Sequence, residues 1–343
     1  MRSYKVAILG ATGAVGQEFL NLLEERRFPV GELRLLASER SAGKKMVFCG
    51  DTLTVEQAKP DSFAGVEIGL FAGGAASKTF APEAVRRGAV VIDNSSAFRM
   101  DPAVPLVVPE VNPHALAEHK GLIANPNCST IIMVMALKPL HDYARLKRVV
   151  VSTYQAVSGA GKEAIDELSD QVKAAVEGRE VQARILPSAN LPKHYQIAFN
   201  LIPHIDIFVD HGYTKEEHKM VVETHKILGD ETIGITATTV RVPVYRSHSE
   251  SINAEFHTPL SAAKARELLA RFPGVVVKDD PAAMEYPMPL FSSGRDEVFV
   301  GRIREDRTVS HGLNLWVVGD QIRKGAALNA LQIAEYLIAH SLV

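Results

Sequence analysis

Cysteine is scarce: the 343 residues hold two, Cys49 and Cys128. So low a count excludes a disulfide scaffold and fits a reducing compartment. Neither sign of charge prevails, since 38 Lys and Arg against 40 Asp and Glu leave a formal net charge of −2. That balance removes any global electrostatic case for nucleic acid or an anionic membrane surface as partner. No apolar run is long enough to cross a bilayer. Met1-Arg2-Ser3 passes straight into a strand pattern, without the apolar core and small-residue cleavage site of a signal peptide. Repeats, low-complexity tracts and charge blocks are absent, and no metal is expected. What remains is an ordinary globular composition, 46% hydrophobic and 23% charged, in a chain long enough for two domains. A soluble cytoplasmic protein is expected.

The first third alternates strand-like and helix-like segments. Tyr4 to Leu9 reads as a strand, Val15 to about Arg26 as a helix, Glu32 to Ala37 and Val66 to Phe71 as strands, Ser77 to Arg87 as a helix and Val90 to Asp93 as a strand. Such alternation of short apolar strands with helices predicts a parallel sheet covered on both faces. After Cys128 the texture changes to longer β-branched runs, Leu146 to Val157, Thr232 to Val242, Ser251 to Phe256, Val298 to Arg304 and Leu313 to Val318, with a helix from about Glu163 to Glu177. These predict an α+β domain with a mixed or antiparallel sheet. Prolines 187, 192 and 203 break any regular pattern between about Gly178 and Asp210, and Gly325 to Leu342 reads as an amphipathic helix.

Gly10-Ala11-Thr12-Gly13-Ala14-Val15-Gly16 follows the first strand and opens the first helix. Gly10 permits the tight turn, Gly13 lets the backbone approach a pyrophosphate, and Gly16 permits close helix–strand packing. The spacing is one residue longer than the common dinucleotide fingerprint, so strand before and helix after carry much of the weight. The second strand ends in Ala37-Ser38-Glu39-Arg40-Ser41. Ser38, Arg40 and Ser41 suit a 2′-phosphate and so NADP, while Glu39 leaves NAD open.

Asn125-Pro126-Asn127-Cys128-Ser129-Thr130 sets a cysteine before the apolar run Ile131 to Leu137, which reads as a buried helix. A cysteine at a helix N-terminus meets unpaired N–H groups and the positive end of the helix dipole, which favour the thiolate and could cradle an oxyanion. The same cysteine could also be a small buried hydrophobe. Three more polar segments end or follow strands: Gln155 to Lys162 with Ser158 and Gly159, Arg241-Val242-Pro243, and Ser247-His248-Ser249-Glu250. A thiolate and its histidine partner need only meet in space, and His248 stands out among 12 histidines by its position after the Arg241 strand.

Together with Asn94 to Arg99, Val108 to Asn112, Glu216 to Lys219, Glu223-Thr224 and Arg323 to Asn329, these segments span nearly the whole chain. In their order the chain resembles aspartate-β-semialdehyde dehydrogenase of the bacterial type. The resemblance implies an α/β fold: an N-terminal Rossmann-like dinucleotide-binding domain (1–127 with 321–343) plus a C-terminal α+β catalytic and dimerisation domain (128–320). It also implies NADPH-dependent reductive dephosphorylation of aspartyl phosphate to aspartate semialdehyde and phosphate, in biosynthesis of lysine, methionine and threonine, by a homodimer. Cys128 would be the nucleophile, His248 the acid/base and Gln155 a positioning group. Arg241 would clamp the α-carboxylate and Glu216 meet the α-ammonium, while Arg99, Lys219 and Asn127 would serve the phosphate. Gly10, Thr12, Gly13, Ala14, Val15, Ser38, Arg40, Ser41, Ser158, Gly159 and Gln321 would bind NADP, although the family commonly has asparagine where Gln321 stands. The rivals are an N-acetyl-γ-glutamyl-phosphate or malonyl-CoA reductase on the same plan, or a non-catalytic nucleotide-binding paralogue. Singly, each group has an ordinary alternative: Glu216 and Lys219 as a helix-face pair, Arg99 as a partner of Asp101 or Glu110, Gln155 as a satisfied strand-end amide.

Overall fold

Strand Tyr4–Leu9 (β1) is buried at every position but Lys5, as a strand covered on both faces must be. In the computed structural model, which describes residues 2–343, it leads through Gly10 into helix Ala14–Glu25 (α1). There follow Val30–Ala37 (β2), a hairpin of Lys45–Phe48 (β3) and Asp51–Thr54 (β4), and the short strand Glu56–Gln57 (β5). Ile68–Phe71 (β6), helix Ala75–Arg86 (α2), Val90–Asp93 (β7) and Leu122–Ala124 (β8) complete this stretch. Six of the strands form one parallel sheet in the order β5-β2-β1-β6-β7-β8. Phe19, Leu22 and Leu23 of α1 bury one face with Val6 and Ile8, and Ala81 and Ala84 of α2 bury the other with Ala7, Leu9 and Phe71. Cys49 sits at the hairpin tip with φ of 49°.

The chain divides into two compact units, Met1–Asn127 with Gly325–Val343, and Cys128–Lys324. The second opens on helix Cys128–Ala144 (α3), apolar and buried nearly all round, followed by Leu146–Gln155 (β9), a 3₁₀ turn at Val157–Ala160 and helix Lys162–Val176 (α4). An irregular excursion leads to helix Lys215–Leu228 (α5), capped by Thr214, whose hydroxyl accepts from Glu217 N while Glu217 reaches back to Thr214 N. Gly234–Arg241 (β10), His248–Phe256 (β11), helix Ala262–Arg271 (α6), Val275–Val277 (β12), the short helix Pro289–Ser292 (α7), Val298–Asp306 (β13) and Gly312–Gly319 (β14) follow. The sheet is mixed, in the order β10-β9-β11-β14-β13-β12.

Register in this sheet sets up the chemistry. Arg241 lies beside Gln155, Ser249 beside Tyr154, and His248 beside Gly319. Because side chains alternate across a strand, Arg241, Gln155 and His248 share the buried face at one end of the sheet. Gly319 completes that row. A Cβ there would come 2.9 Å from Cγ1 of Ile132, one helical turn after Cys128, so the glycine lets α3 settle against the strand ends.

Helix Leu328–Ala339 (α8) belongs to the first unit, where Leu328, Leu331 and Ala334 join the core beside Phe19. A π-helical turn over Arg323–Ala327 runs directly into it, so the helical stretch opens two residues before Gly325. Asn329 Nδ2 donates to Val107 O at 2.9 Å and to Asn125 Oδ1 at 2.7 Å, and Asn125 Nδ2 donates to Asn94 Oδ1 at 2.8 Å. Three asparagines from three of the polar segments thus form one buried network that fastens α8 to the loops after β7 and β8.

Candidate active site

Cys128 is the first residue of α3, where the leading N–H groups lack helical partners and the dipole favours a negative sulfur. A thiolate at Cys128 would raise the pKa of Arg241, which is 3% exposed. Arg241 Nη1 donates to Ala156 O at 2.7 Å, but its Nε is buried with no hydrogen-bond partner. Burial pushes the Arg241 pKa down, against Glu216 and Cys128, which raise it. The guanidinium stays charged, because arginine does not deprotonate in proteins. A buried donor left unpaired costs about 1–3 kcal/mol, the condition expected of a group kept for an incoming acceptor.

Gln155 joins the groups on this row. Its Oε1 takes the Thr153 hydroxyl at 3.0 Å, and its Nε2 donates to Glu216 Oε1 at 3.2 Å and lies 3.4 Å from His248 Nε2. The backbone N–H of Ala156 donates to His248 Nδ1 at 3.1 Å. Burial first and Arg241 second push the His248 pKa well below the usual histidine value, so the ring is neutral at pH 7. His248 is the first residue of β11, a strand that starts three residues earlier than its β-branched run suggested.

Lys219 pairs with Asp206 at 2.8 Å and Glu216 at 3.1 Å. Burial opposes its charge, yet Glu216 and Asp206 outweigh burial and hold its pKa above the ordinary lysine value. The Glu216–Lys219 pair is therefore a largely buried part of the cluster rather than a solvated helix-face pair.

The Ser158-Gly159 turn is an ordered 3₁₀ turn, tied down by Val157 N to Val244 O at 2.8 Å and Ser158 N to Tyr245 O at 3.3 Å. Gln321 Nε2 donates to Ser158 Oγ, and Gln321 Oε1 accepts from Ser247 N at 2.8 Å. Gln321 is thus a strut between the turn and the residue before His248, a role its sequence position gave no sign of. Asp320 beside it accepts from Ile322 N at 2.9 Å, Arg323 N at 3.1 Å, Gly294 N at 2.6 Å and Arg246 Nε at 2.5 Å. Glu250 shares the His248 face, and both its oxygens are buried without partners. Burial pushes its pKa well above the usual carboxylate value and so favours the neutral acid.

In the first unit the glycine loop separates into parts. A Cβ on Gly10, at φ of 84°, would lie 2.6 Å from Ala72 O, and one on Gly16 would run into Gly10 O and Ala11. A Cβ on Gly13 would meet only Gly10 O, at 3.4 Å, so no packing within the unit demands that glycine. Gly13 caps α1 with no side-chain hydrogen bond, and no acidic residue stands in the first turn. An uncapped helix N-terminus beside Thr12, Ala14 and Val15 with spare room fits a nucleotide phosphate. Thr12 Oγ1 donates to Ser41 Oγ at 3.3 Å, which brings the loop to the end of β2, where Ser38 and Arg40 are exposed. Arg99 Nη2 donates to Asn94 O at 2.8 Å. Arg99 and Asn127 belong to this unit with the glycine loop, whereas Cys128, Gln155, Glu216, Lys219, Arg241, His248 and Gln321 belong to the other. Among the described residues no group of His, Cys, Asp and Glu could hold a metal ion, and no helix is long and apolar enough to cross a membrane.

Residues 5–119 match the model of the semialdehyde dehydrogenase NAD-binding domain, and residues 137–324 that of the semialdehyde dehydrogenase dimerisation domain. An aspartate-semialdehyde dehydrogenase of Aquifex aeolicus is 59% identical over 344 residues, which cover 99% of each chain. The chain belongs to the aspartate-semialdehyde dehydrogenase family. The Bacillus subtilis member is 53% identical, over 100% of this chain and 99% of its own. Aspartate semialdehyde dehydrogenase II of Vibrio cholerae, solved in complex with ASA, superposes with a TM-score of 0.94 at 48% identity, over 99% of both chains. The Candida albicans enzyme, solved with NADP, superposes with a TM-score of 0.77 at 26% identity, over 100% of both chains. Membership makes the chain an oxidoreductase of amino-acid biosynthesis with a nicotinamide-nucleotide domain, and it sets aside both rival reductases and the non-catalytic paralogue.

Gly159 supplies a test of the cluster. A Cβ there would lie 2.8 Å from Arg241 Nη1, 3.1 Å from His248 Cε1 and 3.2 Å from His248 Nε2. Gly159→Ala should lower kcat by on the order of 100-fold while the melting temperature changes little, because a displacement near 1 Å at reacting groups costs about that much. Steady-state kinetics beside thermal unfolding would check it, and unchanged kcat would remove Gly159 from the site.

Proposed function

We propose that the enzyme reduces β-aspartyl phosphate to aspartate semialdehyde with NADPH, through a thioester on Cys128. The observation that carries this reading is Arg241: a buried guanidinium with an unspent Nε, under electrostatic influence of the helix-head cysteine. A planar fork of this kind takes a carboxylate through two parallel bonds. With Arg241 on the α-carboxylate and Glu216 toward the α-ammonium, an aspartyl group is oriented by both ends of its amino-acid head. Cys128 then adds to the acyl carbon and phosphate leaves, with Lys219, Arg99 and Asn127 assigned to the phosphate. Gln155, pinned by Thr153 and Glu216, fixes the spacing between Glu216 and His248.

The nucleotide supplies hydride when bound. Gly10 to Val15 would hold its pyrophosphate, and Ser158 and Gly159 would meet the nicotinamide end. Gln321 is assigned to the same end through its hold on Ser158. Ser38, Arg40 and Ser41 would take the 2′-phosphate, so NADP is preferred over NAD. The relative from Candida albicans solved with NADP supports that preference. The product would feed synthesis of lysine, methionine and threonine. A homodimer is proposed from the matched dimerisation domain and from exposed Phe199, Leu201, Ile207 and Phe208 along the excursion before α5. Two cysteines outside any disulfide fit a reducing cytoplasm.

Two substitutions test the reading. Arg241→Lys keeps the charge but loses the second bond, so kcat/KM for aspartate semialdehyde should fall by at least about 100-fold, nucleotide affinity holding. Retained kcat/KM, whatever happens to the melting temperature, would take Arg241 out of the site. Arg40→Ala should cost about 1.5–3 kcal/mol in kcat/KM with NADPH and little with NADH. Equal efficiency of the unaltered enzyme with both nucleotides would contradict the role given to Arg40.

A further inference from the structure

Asp206 stands in the excursion before α5 with φ of 68°, a left-handed conformation that aspartate tolerates better than most side chains do. The chain is fastened on either side of it. Upstream, Ile202 N donates to Arg241 O at 3.0 Å and Arg241 N to Ile202 O at 2.8 Å, so the excursion lies along the outer edge of β10. Downstream, Ile207 O accepts from the N–H of Lys215, the first residue of α5, at 2.8 Å. Between those ties the Asp206 carboxylate is fully used. Its Oδ1 accepts from Ile207 N at 2.9 Å, and its Oδ2 accepts from Lys219 Nζ at 2.8 Å.

A lysine ammonium carries three N–H donors and no acceptor. Asp206 takes one of them on Lys219, Glu216 Oε2 takes a second at 3.1 Å, and the third has no partner among the described residues. The Lys219 side chain is 17% exposed, so two anchored carboxylates fix the direction of that remaining donor. Burial works against the charge, and Glu216 and Asp206 together outweigh burial. Glu216 alone would not fix the direction, because a single bond lets an ammonium on a flexible four-carbon stem swing about the contact. Glu216 is also engaged elsewhere, since its Oε1 accepts from Gln155 Nε2 at 3.2 Å. Among the described residues Asp206 bonds to the cluster through Lys219 alone.

We propose that Asp206 is a positioning residue for phosphate: by holding Lys219 against Glu216 it aims the third N–H of the ammonium at the phosphate of the reaction. The role deepens the proposed reaction and rests on it, with Lys219 serving phosphate and Cys128 carrying the acyl group. An N⁺–H already oriented makes a charge-assisted bond to a phosphate oxygen, whereas a swinging ammonium must first lose that freedom. The two halves of the oxidation differ in their need for this donor. In the first, the thiolate adds to the aldehyde carbon, hydride passes from that carbon to NADP⁺, and the carbonyl re-forms as the thioester. No phosphate takes part. In the second, an oxygen of hydrogen phosphate adds to the thioester carbon, the thiolate is expelled, and the phosphate proton passes to water. Asp206 therefore bears on the second half and leaves the first alone.

Two variants remove the carboxylate without forcing the backbone, since asparagine tolerates the left-handed conformation and glycine adopts it freely. In Asp206→Asn and in Asp206→Gly, assayed as full-length enzyme oxidising aspartate semialdehyde, KM for phosphate should rise by at least about tenfold, as loss of a bond to a charged group does. The burst of NADPH formed when phosphate is withheld should keep its rate and amplitude. Asp206→Asn in a Lys219→Ala background should raise KM for phosphate no further, because Asp206 acts through that lysine. An unchanged or lowered KM for phosphate in the two folded Asp206 variants overturns the proposal, and so does a further rise in the double variant. A burst slowed in step with turnover, as a merely structural role would give, also overturns it. Failure of the underlying reaction looks different: Lys219→Ala would then leave KM for phosphate untouched, or the unaltered enzyme would show no burst.

Discussion

The close approach of α3 to the ends of the strands is the constraint on which the catalytic unit depends. Gly319 has no side chain, so Ile132 can lie against β14, and one turn earlier Cys128 heads the helix. The helix N-terminus gives the sulfur its electrostatic setting. Strand register then supplies the rest of the row. Pairing of Gln155 with Arg241, and of His248 with Gly319, places three polar side chains on one buried face. A one-residue slip would turn all of them to the other side of the sheet.

Burying so many polar groups is costly unless they satisfy one another. Most do: Thr153, Gln155, Glu216, Lys219 and Asp206 form a continuous chain of bonds. Ala156 holds both neighbours at once, with its carbonyl on Arg241 and its N–H on His248. The exceptions mark where an outside group is wanted. Arg241 Nε is unpaired inside the cluster, and the N-terminus of α1 is uncapped at Gly13. Glu250 is also unpaired, and burial raises its pKa and so favours the uncharged form.

Local patterns carried the fold class, the parallel sheet of the first unit, the mixed sheet of the second, and the helix headed by Cys128. Such features follow from periodicity and from glycine at a strand–helix junction. Gly10 and Gly16 are each explained by a contact that a Cβ would break, as their spacing predicted. The site was legible mainly through ordered motifs, because Gln155 and Arg241 are paired across many intervening residues that no local pattern links. The strut made by Gln321, the role of Gly319 and the asparagine network of Asn94, Asn125 and Asn329 all depend on such distant pairings. Strand β4 of the hairpin was missed because it is short and mostly exposed.

Central to the account is a covalent acyl group on the sulfur that α3 presents. Rapid mixing of the enzyme with NADP⁺ and aspartate semialdehyde in the absence of phosphate should trap it, because hydride can leave but no acceptor is present to release the acyl group. Peptide mass spectrometry at acid quench should find an aspartyl thioester on Cys128 and none on Cys49, lost when phosphate is added before the quench. An unmodified Cys128 under conditions that form NADPH, or the acyl group on any other residue, would contradict the account.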